Sequence, residues 1–468
     1  MSNKEIISAS DITIEYIEII SAGVSINLIE YVISLNVYED IYSNSLTVDV
    51  LLNDSVNLPA KTPILGEEYL NFSFTSKSID SNTTGTGSSS IDPGPMYTVS
   101  ITDRHITKDR QQIFILHCVS EQGIINSNTT ISKSYNGKKV YEIVNNILDE
   151  YIYTENDYVV EETVGIESVV IPNWKPFEAI NWLSKRACNK KNIPNFLFWE
   201  SIGSTHFQSI EQLLEQKVKQ KFVLQHVSDD PKKVQSIAAG VIPLNSLEII
   251  NQFNIDRNIQ NGMYASKLIT HDIVRKKIEQ STYGLNQAYG SEITHTDEFM
   301  PISSAETYYY ISDRQSFAPE TRFSDNTGEN IQSYYDSRII FKTKHNQMYA
   351  KNIGDLHDNM VETKLLKRNA LLLGLDQIKL KVIFPGLSFL RVGHLVHVNV
   401  PSPEKVLEEK PGLVKNKEDL NDKYLSGKYL ITALKHTVDM INGKPQYTMV
   451  AELSKDGLGY VPAYGGKL

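Results

Sequence analysis

Lys367-Arg368-Asn369-Ala370-Leu371-Leu372-Leu373-Gly374, then Ile378-Lys379-Leu380-Lys381-Val382-Ile383-Phe384, Pro385-Gly386, and Leu390-Arg391-Val392-Gly393-His394-Leu395-Val396-His397-Val398-Asn399-Val400-Pro401 are the residues whose reading decides the fold. They read as a helix end followed by two strands around a tight turn. Gly374 can take the left-handed conformation that ends a helix, and Pro385-Gly386 is a turn signal.

On the C-terminal side, residues 404–422 are charged and carry Pro411-Gly412, which reads as a surface excursion. Lys428–His436 and Gln446–Leu453 are expected to form a hairpin, because Asn442-Gly443 between them favours the primed turns of hairpins. The tail from Gly457 to Leu468 is expected to be extended; its Tyr460 and Tyr464 could dock a partner, or the tail could simply fray.

On the N-terminal side a helix is expected from near Gly354 to Leu373. Before it, from about Tyr283 to Tyr349, lies a polar stretch with Tyr308-Tyr309-Tyr310 and Tyr334-Tyr335. Its aromatic and apolar residues argue for a packed insertion rather than a disordered linker. Those tyrosines could form an interface, stack sugars or pack within the insertion. Strand character is expected at Glu248–Asp256 and at Met263–Ile278.

The first section reads as all-β. Alternate residues Ile29, Tyr31, Ile33, Leu35 and Val37 could line one strand face, and Leu46, Val48, Val50 and Leu52 repeat the pattern. Further strands at Tyr69–Phe74, Met96–Ile106 and Gln111–Ser120, with a Ser/Thr/Gly/Pro-rich loop at 81–95, argue for a small barrel or sandwich. At about Gln122 the period changes. Val140, Ile143, Val144, Ile147, Leu148 and Tyr151 fall at helical spacing behind Asn136-Gly137. Pro176 suits the first turn of a helix with Phe177, Ile180, Leu183 and Ala187 inside. Phe196–Trp199 reads as a buried strand and Ser209–Val218 as a third helix, so this part is mixed α/β.

The chain has 468 residues, 41% of them hydrophobic, enough for two to four domains with real cores. Its net charge is −10, and Lys and Arg are scattered among acids, which argues against a surface gripping nucleic-acid phosphates. Cys118 and Cys188 cannot build a disulfide framework or a four-ligand zinc site by themselves, and are expected as buried thiols. The N-terminus lacks signal-peptide order, and no apolar run is long enough to span a bilayer, so folding in a cytoplasm is expected.

The common catalytic fingerprints do not occur. Asp103 and His105, two apart on one strand, could form an acid/base pair, but polar residues on a rim near a turn are the simpler reading. His345, His357 and Asp358 fit no common metal-site spacing. Between Val140 and Trp174 stand eight acids (Glu142, Asp149, Glu150, Glu155, Asp157, Glu161, Glu162 and Glu167) with no Lys or Arg beside them. Paired carboxylates can hydrolyse glycosidic bonds, but their dispersal along an amphipathic helix and its loop reads better as a solvated face.

The opening stretch resembles the second tube-forming β-barrel of the central baseplate hub proteins of contractile-tailed bacteriophages. Leu35–Leu46 with Val48-Asp49-Val50 and Asn53-Asp54 resembles the opening hairpin of that family's first barrel, followed by Pro63-Ile64-Leu65-Gly66-Glu67-Glu68. Ile131–Lys138 and Ile171–Phe177 look like its α/β domain, and Tyr424–Ile431 like the closing strand of its second barrel. His394 departs from the pattern, standing where the family often carries an acid.

The resemblance implies an α+β, β-rich chain with two tube-type antiparallel β-barrels plus a mixed α/β domain with an insertion. The expected divisions are 1–125, first barrel; 126–247, mixed α/β domain; and 248–282, first strands of the second barrel. Residues 283–366 are the tyrosine-rich insertion and helix packed on the α/β domain, 367–456 the remainder of the second barrel with charged loop 403–423, and 457–468 the tail. It implies a non-enzymatic homotrimer without cofactors or metals. That trimer would adapt a six-fold tail tube to a three-fold central spike, touch other baseplate proteins and pass DNA without reading its sequence. Its place would be the virion tail baseplate, assembled in the host cytoplasm, with Tyr460 and Tyr464 candidates for spike contact. Alternative readings are a spike-hub component of a contractile secretion or injection system, and a tail-associated peptidoglycan hydrolase.

Overall fold

The computed structural model describes residues 12–61, 64–76, 89–106, 111–153, 156–224, 241–285, 294–297, 335–344, 361–402, 421–441 and 443–458. The expectations for Tyr308–Tyr310, Tyr334, His345, His357, Asp358, loop 403–420, Tyr460 and Tyr464 lie outside the described residues.

Alternation of buried and half-exposed residues, interrupted by bulges, builds the first lobe. Its strands are β1 (Ile12–Ser21), β2 (Val24–Asn27), β3 (Val32–Asp40), β4 (Thr47–Asp54), β5 (Tyr69–Ser76), β6 (Ser89–Ile91), β7 (Met96–Ile106) and β8 (Gln112–Ser120). Leu46, Val48, Val50 and Leu52 are all buried, as their period requires. A short helix, α1 (Leu58–Lys61), follows β4.

The α/β body follows with α2 (Glu121–Asn128), β9 (Ile131–Lys138), α3 (Val140–Ile147), β10 (Asp157–Val160), β11 (Glu167–Trp174), α4 (Pro176–Ser184), β12 (Phe196–Ser201), β13 (Ser204–Ser209) and α5 (Ile210–Leu214). Pro176 opens α4, where its missing N–H costs nothing. Of the expected inner residues, Val140, Ile143, Val144, Ile147, Leu148, Phe177, Ile180, Leu183 and Ala187 are buried and Tyr151 is half-buried, and α3 continues into a π-helical turn at Leu148–Ile152. The third helix starts where expected, with Ser209 capping it by accepting the Gln212 amide hydrogen, but is shorter, since the helical turn stops at Leu214. Strand β12 is buried along its whole length, and its alternation serves two cores. Leu197 and Trp199 join the core of the large sheet, whereas Phe196 and Phe198 join the α/β core.

The second lobe contains β14 (Gln220–Leu224), β15 (Val241–Leu244), β16 (Ser246–Asn251), then, beyond a small sheet, β20 (Ile378–Pro385), β21 (Leu395–Asn399), β22 (Gly427–Ile441) and β23 (Lys444–Lys455). The expected final hairpin is β22–β23, with Gly443 at φ +74° in its turn. Both lobes use one strand order. In the first it is β3-β4-β8-β7-β5, and in the second β16-β20-β23-β22-β21, every pair antiparallel. The lobes are joined because β3 pairs with β22 from Ala433↔Asp40 to Asp439↔Ser34. They therefore share one fifteen-stranded sheet, and no closed barrel is formed among the described residues.

Four local expectations are corrected. Gly374 does not end its helix in the left-handed region; α7 (Val361–Leu375) continues through it. The strands flanking Pro385-Gly386 do not pair with each other, since β20 lies between β16 and β23 while β21 lies between β14 and β22. The strand expected over Glu248–Asp256 stops at Asn251, and Asn254 caps a helix, α6 (Ile255–Gln260), through the Arg257 amide. Of the segment 248–282, only β16 joins the second lobe. Strands β17 (Ala265–Asp272) and β18 (Lys277–Gly284) form a hairpin that pairs with β19 (Ile339–Lys344) in a separate three-stranded sheet, whose β17 and β18 pack on α7. Met263, Tyr264, Leu285, Ala370 and Leu371, with Ile193 from the α/β body, make its small core.

Candidate functional site

Two carboxylates buried where the lobes meet the α/β body form the most connected polar feature. Period-2 alternation places Glu39 on the same inward face of β3 as Leu35 and Val37. It accepts the amide hydrogens of Val392 at 3.0 Å, from the second lobe, and Ile202 at 3.2 Å, from the α/β body. Arg391 Nε lies 3.7 Å away and His436 Nε2 3.6 Å away. Burial opposes its charge, but the His436 ring, the Arg391 guanidinium and the Val392 amide prevail and hold the carboxyl down at about 2. The His436 Nδ1 in turn sits 2.7 Å from the Tyr447 hydroxyl.

Glu200, on β12, faces the first lobe. It accepts the Leu46 amide at 2.9 Å, the Ser120 hydroxyl at 2.5 Å and the Asn156 side-chain amide at 3.3 Å. With no cation against it among the described residues, burial pushes this carboxyl up to about 7, and the charge of Glu39 adds to the effect. The family departure noted above, His394, lies beside this joint. Its Nδ1 accepts the Arg391 amide at 3.1 Å, and burial with nearby Lys219 drives the ring down to about 4. The joint fixes three parts of the chain to one another. Its two carboxylates and the His436 ring are all buried.

Asp103 and His105 lie on β7 as expected, but a bulge between Thr102 and His105, with Asp103 at φ +50°, breaks the alternation that would set them on one face. The neighbouring strands hold a Thr102–His117–Asp49 chain that the sequence reading missed. Thr102 Oγ1 is 2.7 Å from His117 Nε2, and His117 Nδ1 is 2.5 Å from Asp49 Oδ1. Their types match a hydroxyl–imidazole–carboxylate relay, yet they are cross-strand neighbours on an open sheet face, which is also how polar side chains ordinarily pair there.

The acid-rich run is only partly a solvated face. Glu161 accepts the Ser209 amide at 2.6 Å, and buried Glu167 pairs with Arg186 at 3.4 Å and Lys364 at 3.6 Å. Glu142 accepts the Lys139 amide at the start of α3, and Glu150 pairs with Lys133. Cys118 and Cys188 are free, buried thiols.

The sheet edges are the remaining feature. Among the described residues, β7 pairs with β5 only at Tyr69↔Tyr97 and Leu70↔Met96, which leaves one side of its later residues unpaired there. Strand β16 has β20 on one side and, among the described residues, no strand on the other. Ile249 and Ile250 on β16 are 44% and 47% exposed, and Val99 on β7 is 47% exposed.

No family model and no curated protein matches the sequence. Among solved structures, the chain is similar to a tail protein from Neisseria meningitidis, with TM-score 0.51 and 9% identity over 96% of this chain and 98% of that one. A 43 kDa tail protein of prophage MuSo2 from Shewanella oneidensis aligns with TM-score 0.48 and 10% identity, over 94% and 99% of the two chains. The Escherichia coli c3393 protein, a type VI secretion component described as similar to the T4 tail proteins gp27 and gp5, aligns with TM-score 0.38 and 10% identity, over 92% and 76%. The structural neighbours of this β-rich chain are thus phage tail and baseplate proteins together with type VI spike-related proteins, and the Neisseria tail protein shares its fold.

Proposed function

We propose that the chain is the central baseplate hub of a contractile phage tail. Three copies, each with two barrel-type lobes, make a six-lobed ring that adapts a six-fold tail tube to a three-fold spike and leaves a channel for DNA. The repeated strand order supports this reading most directly. Within the chain, the first strand of lobe one, β3, meets the fourth strand of lobe two, β22. The matching edges, β16 as first strand of lobe two and β7 as fourth strand of lobe one, have no such partner among the described residues.

If every lobe meets the next in the same way, β16 of one copy pairs antiparallel with β7 of another. Junctions within and between chains then alternate, and two lobes times three copies close a ring with pseudo-six-fold symmetry. Pairing also hides edges that would otherwise invite aggregation, with Ile249, Ile250 and Val99 at the seam. The role is structural rather than catalytic: the ring transmits force during puncture, touches neighbouring baseplate proteins, and holds the spike with help from the tail bearing Tyr460 and Tyr464. It belongs to the virion and is assembled in the host cytoplasm.

Light scattering after size exclusion tests closure. The expected species has about three times the chain mass of 52.9 kDa, and electron micrographs should show a six-lobed ring with a central hole. A monomer at every concentration would refute closure by the chain alone, and a lytic band on a peptidoglycan zymogram would overturn the non-catalytic role.

A further inference from the structure

Basic residues are scattered along the sequence, but the fold gathers five of them around one pocket of about 320 Å³. Lys185 and Arg186 follow the end of α4, Lys342 comes from β19, and Lys364 and Arg368 come from α7. Ile340, Val361, Leu365 and Leu372 give the pocket an aliphatic floor, and Trp182 forms a wall with the Arg186 guanidinium 4.1 Å above its ring.

The cations outnumber their partners. Among the described residues, the carboxylate that reaches them is Glu167, shared by Arg186 and Lys364. Lys185 and Lys342 have no carboxylate within ion-pair distance among those residues. Arg368 donates to the carbonyls of Ser184 at 3.3 Å and Pro194 at 2.9 Å. Elsewhere on the same small sheet the rule is pairing: Lys267 with Asp336, Lys277 with Glu279, and Lys344 with Glu362.

Five cations against one carboxylate leave the pocket at about +4 in a chain whose net charge is −10. Burial, with Arg186 and Lys185 adding to it, holds the Lys342 ammonium below its usual range, and burial brings Arg368 down to about 10. The dipole of α4 favours cations at its C-terminal end, which accounts for Lys185 and Arg186. It does not account for Lys342, Lys364 and Arg368, which come from other elements.

We propose that this pocket takes an acidic, amphipathic peptide segment of a partner protein. Its carboxylates pair with Lys185 and Lys342 at the rim, and an apolar side chain rests on Trp182 and the aliphatic floor. The floor favours a peptide over a nucleic acid, because it is aliphatic and offers a base only the Trp182 ring, one face of which the Arg186 guanidinium covers. The pocket lies between α4, β19 and α7, and none of its lining residues comes from β7 or β16, so the proposal stands whether or not the ring closes.

Fluorescence anisotropy on the full-length protein tests it with three labelled probes. These are a peptide of Glu and Asp around a central Leu-Phe pair, the same peptide with Gln and Asn, and an oligothymidine. The acidic peptide should bind with an affinity that falls as salt rises. The Lys185→Glu, Lys342→Glu double variant should weaken it by roughly tenfold or more, and the amide peptide should bind the wild type no better than the acidic peptide binds that variant. The Lys185→Ala and Lys342→Ala single variants give the same readout if the double variant does not fold. No binding of the acidic peptide, equal binding to all variants, or tighter binding of oligothymidine would each overturn the proposal.

Discussion

The Glu39 carboxylate accepts the Val392 amide hydrogen at 3.0 Å across 353 residues of sequence. The same carboxylate holds Ile202 of the α/β body, so one side chain ties together three parts of the chain. A buried charge is tolerated there because amides, a guanidinium and an imidazole converge on it.

Glu39→Ala should therefore be among the most damaging single changes. Removing one partner of a buried ionic group leaves the others uncompensated, at a cost of about 3–5 kcal/mol. Glu39→Gln, which keeps the shape and part of the hydrogen bonding, should cost less. Urea unfolding of both variants is the check; a loss below about 0.5 kcal/mol for the alanine would show that the joint contributes nothing.

Stability should depend on pH through opposed groups. The depressed Glu39 carboxyl contributes stability that is complete above the ordinary carboxylate range and lost as pH falls toward about 2. Glu200 works the other way: its raised carboxyl favours the folded state at low pH, and that advantage disappears as pH rises through about 7. His206, His394 and His436, all shifted down by burial, oppose Glu200 by losing stability on acidification. Comparison with Glu200→Gln isolates the carboxyl. Relative to wild type, the variant should gain up to ~3 kcal/mol between pH 5 and pH 8. A difference that does not change with pH would remove Glu200 from this role.

Gly386→Ala should be costly although the residue sits after a proline in what reads as an ordinary turn. An added Cβ would come within 1.9 Å of Tyr447 Cδ1, and that ring is held by His436 and packs edge-on against Phe74 at 5.2 Å. We expect a loss of about 1–3 kcal/mol or more, read as a lower melting temperature. An unchanged melting temperature would mean that Tyr447 can move aside.

Ile250→Asp on β16 and Val99→Asp on β7 should each reduce the trimer to monomer while leaving the melting of the monomer within about 0.5 kcal/mol of wild type, since both side chains are exposed in the single chain. Light scattering and thermal melting together decide this. Intact trimers in both variants would place the interface elsewhere.

Charged substitutions at Val48, Val50, Val382 or Val398 should have the opposite character. All four side chains are fully buried, so an unpaired charge there should cost more than ~4 kcal/mol and abolish folding. Soluble, ring-forming double variants would count against the assignment of these strands to the core.

What could be read in the sequence was what local periodicity encodes. The alternation Leu46, Val48, Val50, Leu52, the helical spacing from Val140 to Leu148, Pro176 at a helix start and the glycine of the last hairpin all act over a few residues. Pairing partners were harder. Nothing at Pro385-Gly386 says that the flanking strands pair elsewhere, and β17 and β18 look like any strands until β19, which β17 meets in parallel, is placed. Glu39 was within reach, since the period that buries Leu35 and Val37 continues to it. The basic pocket was not, because its cations come from three separate segments.

Strand β22, fifteen residues long, has β23 along one side and β21 and β3 along the other. The two lobes are therefore a single woven fabric rather than beads on a tether. Antiparallel ladder bonds run across the strands, so tension along β22 loads the whole β3–β22 ladder at once, in shear, while a sideways pull would unzip it one rung at a time. The seam between the lobes is mechanically anisotropic: stiff along the strand, yielding across it.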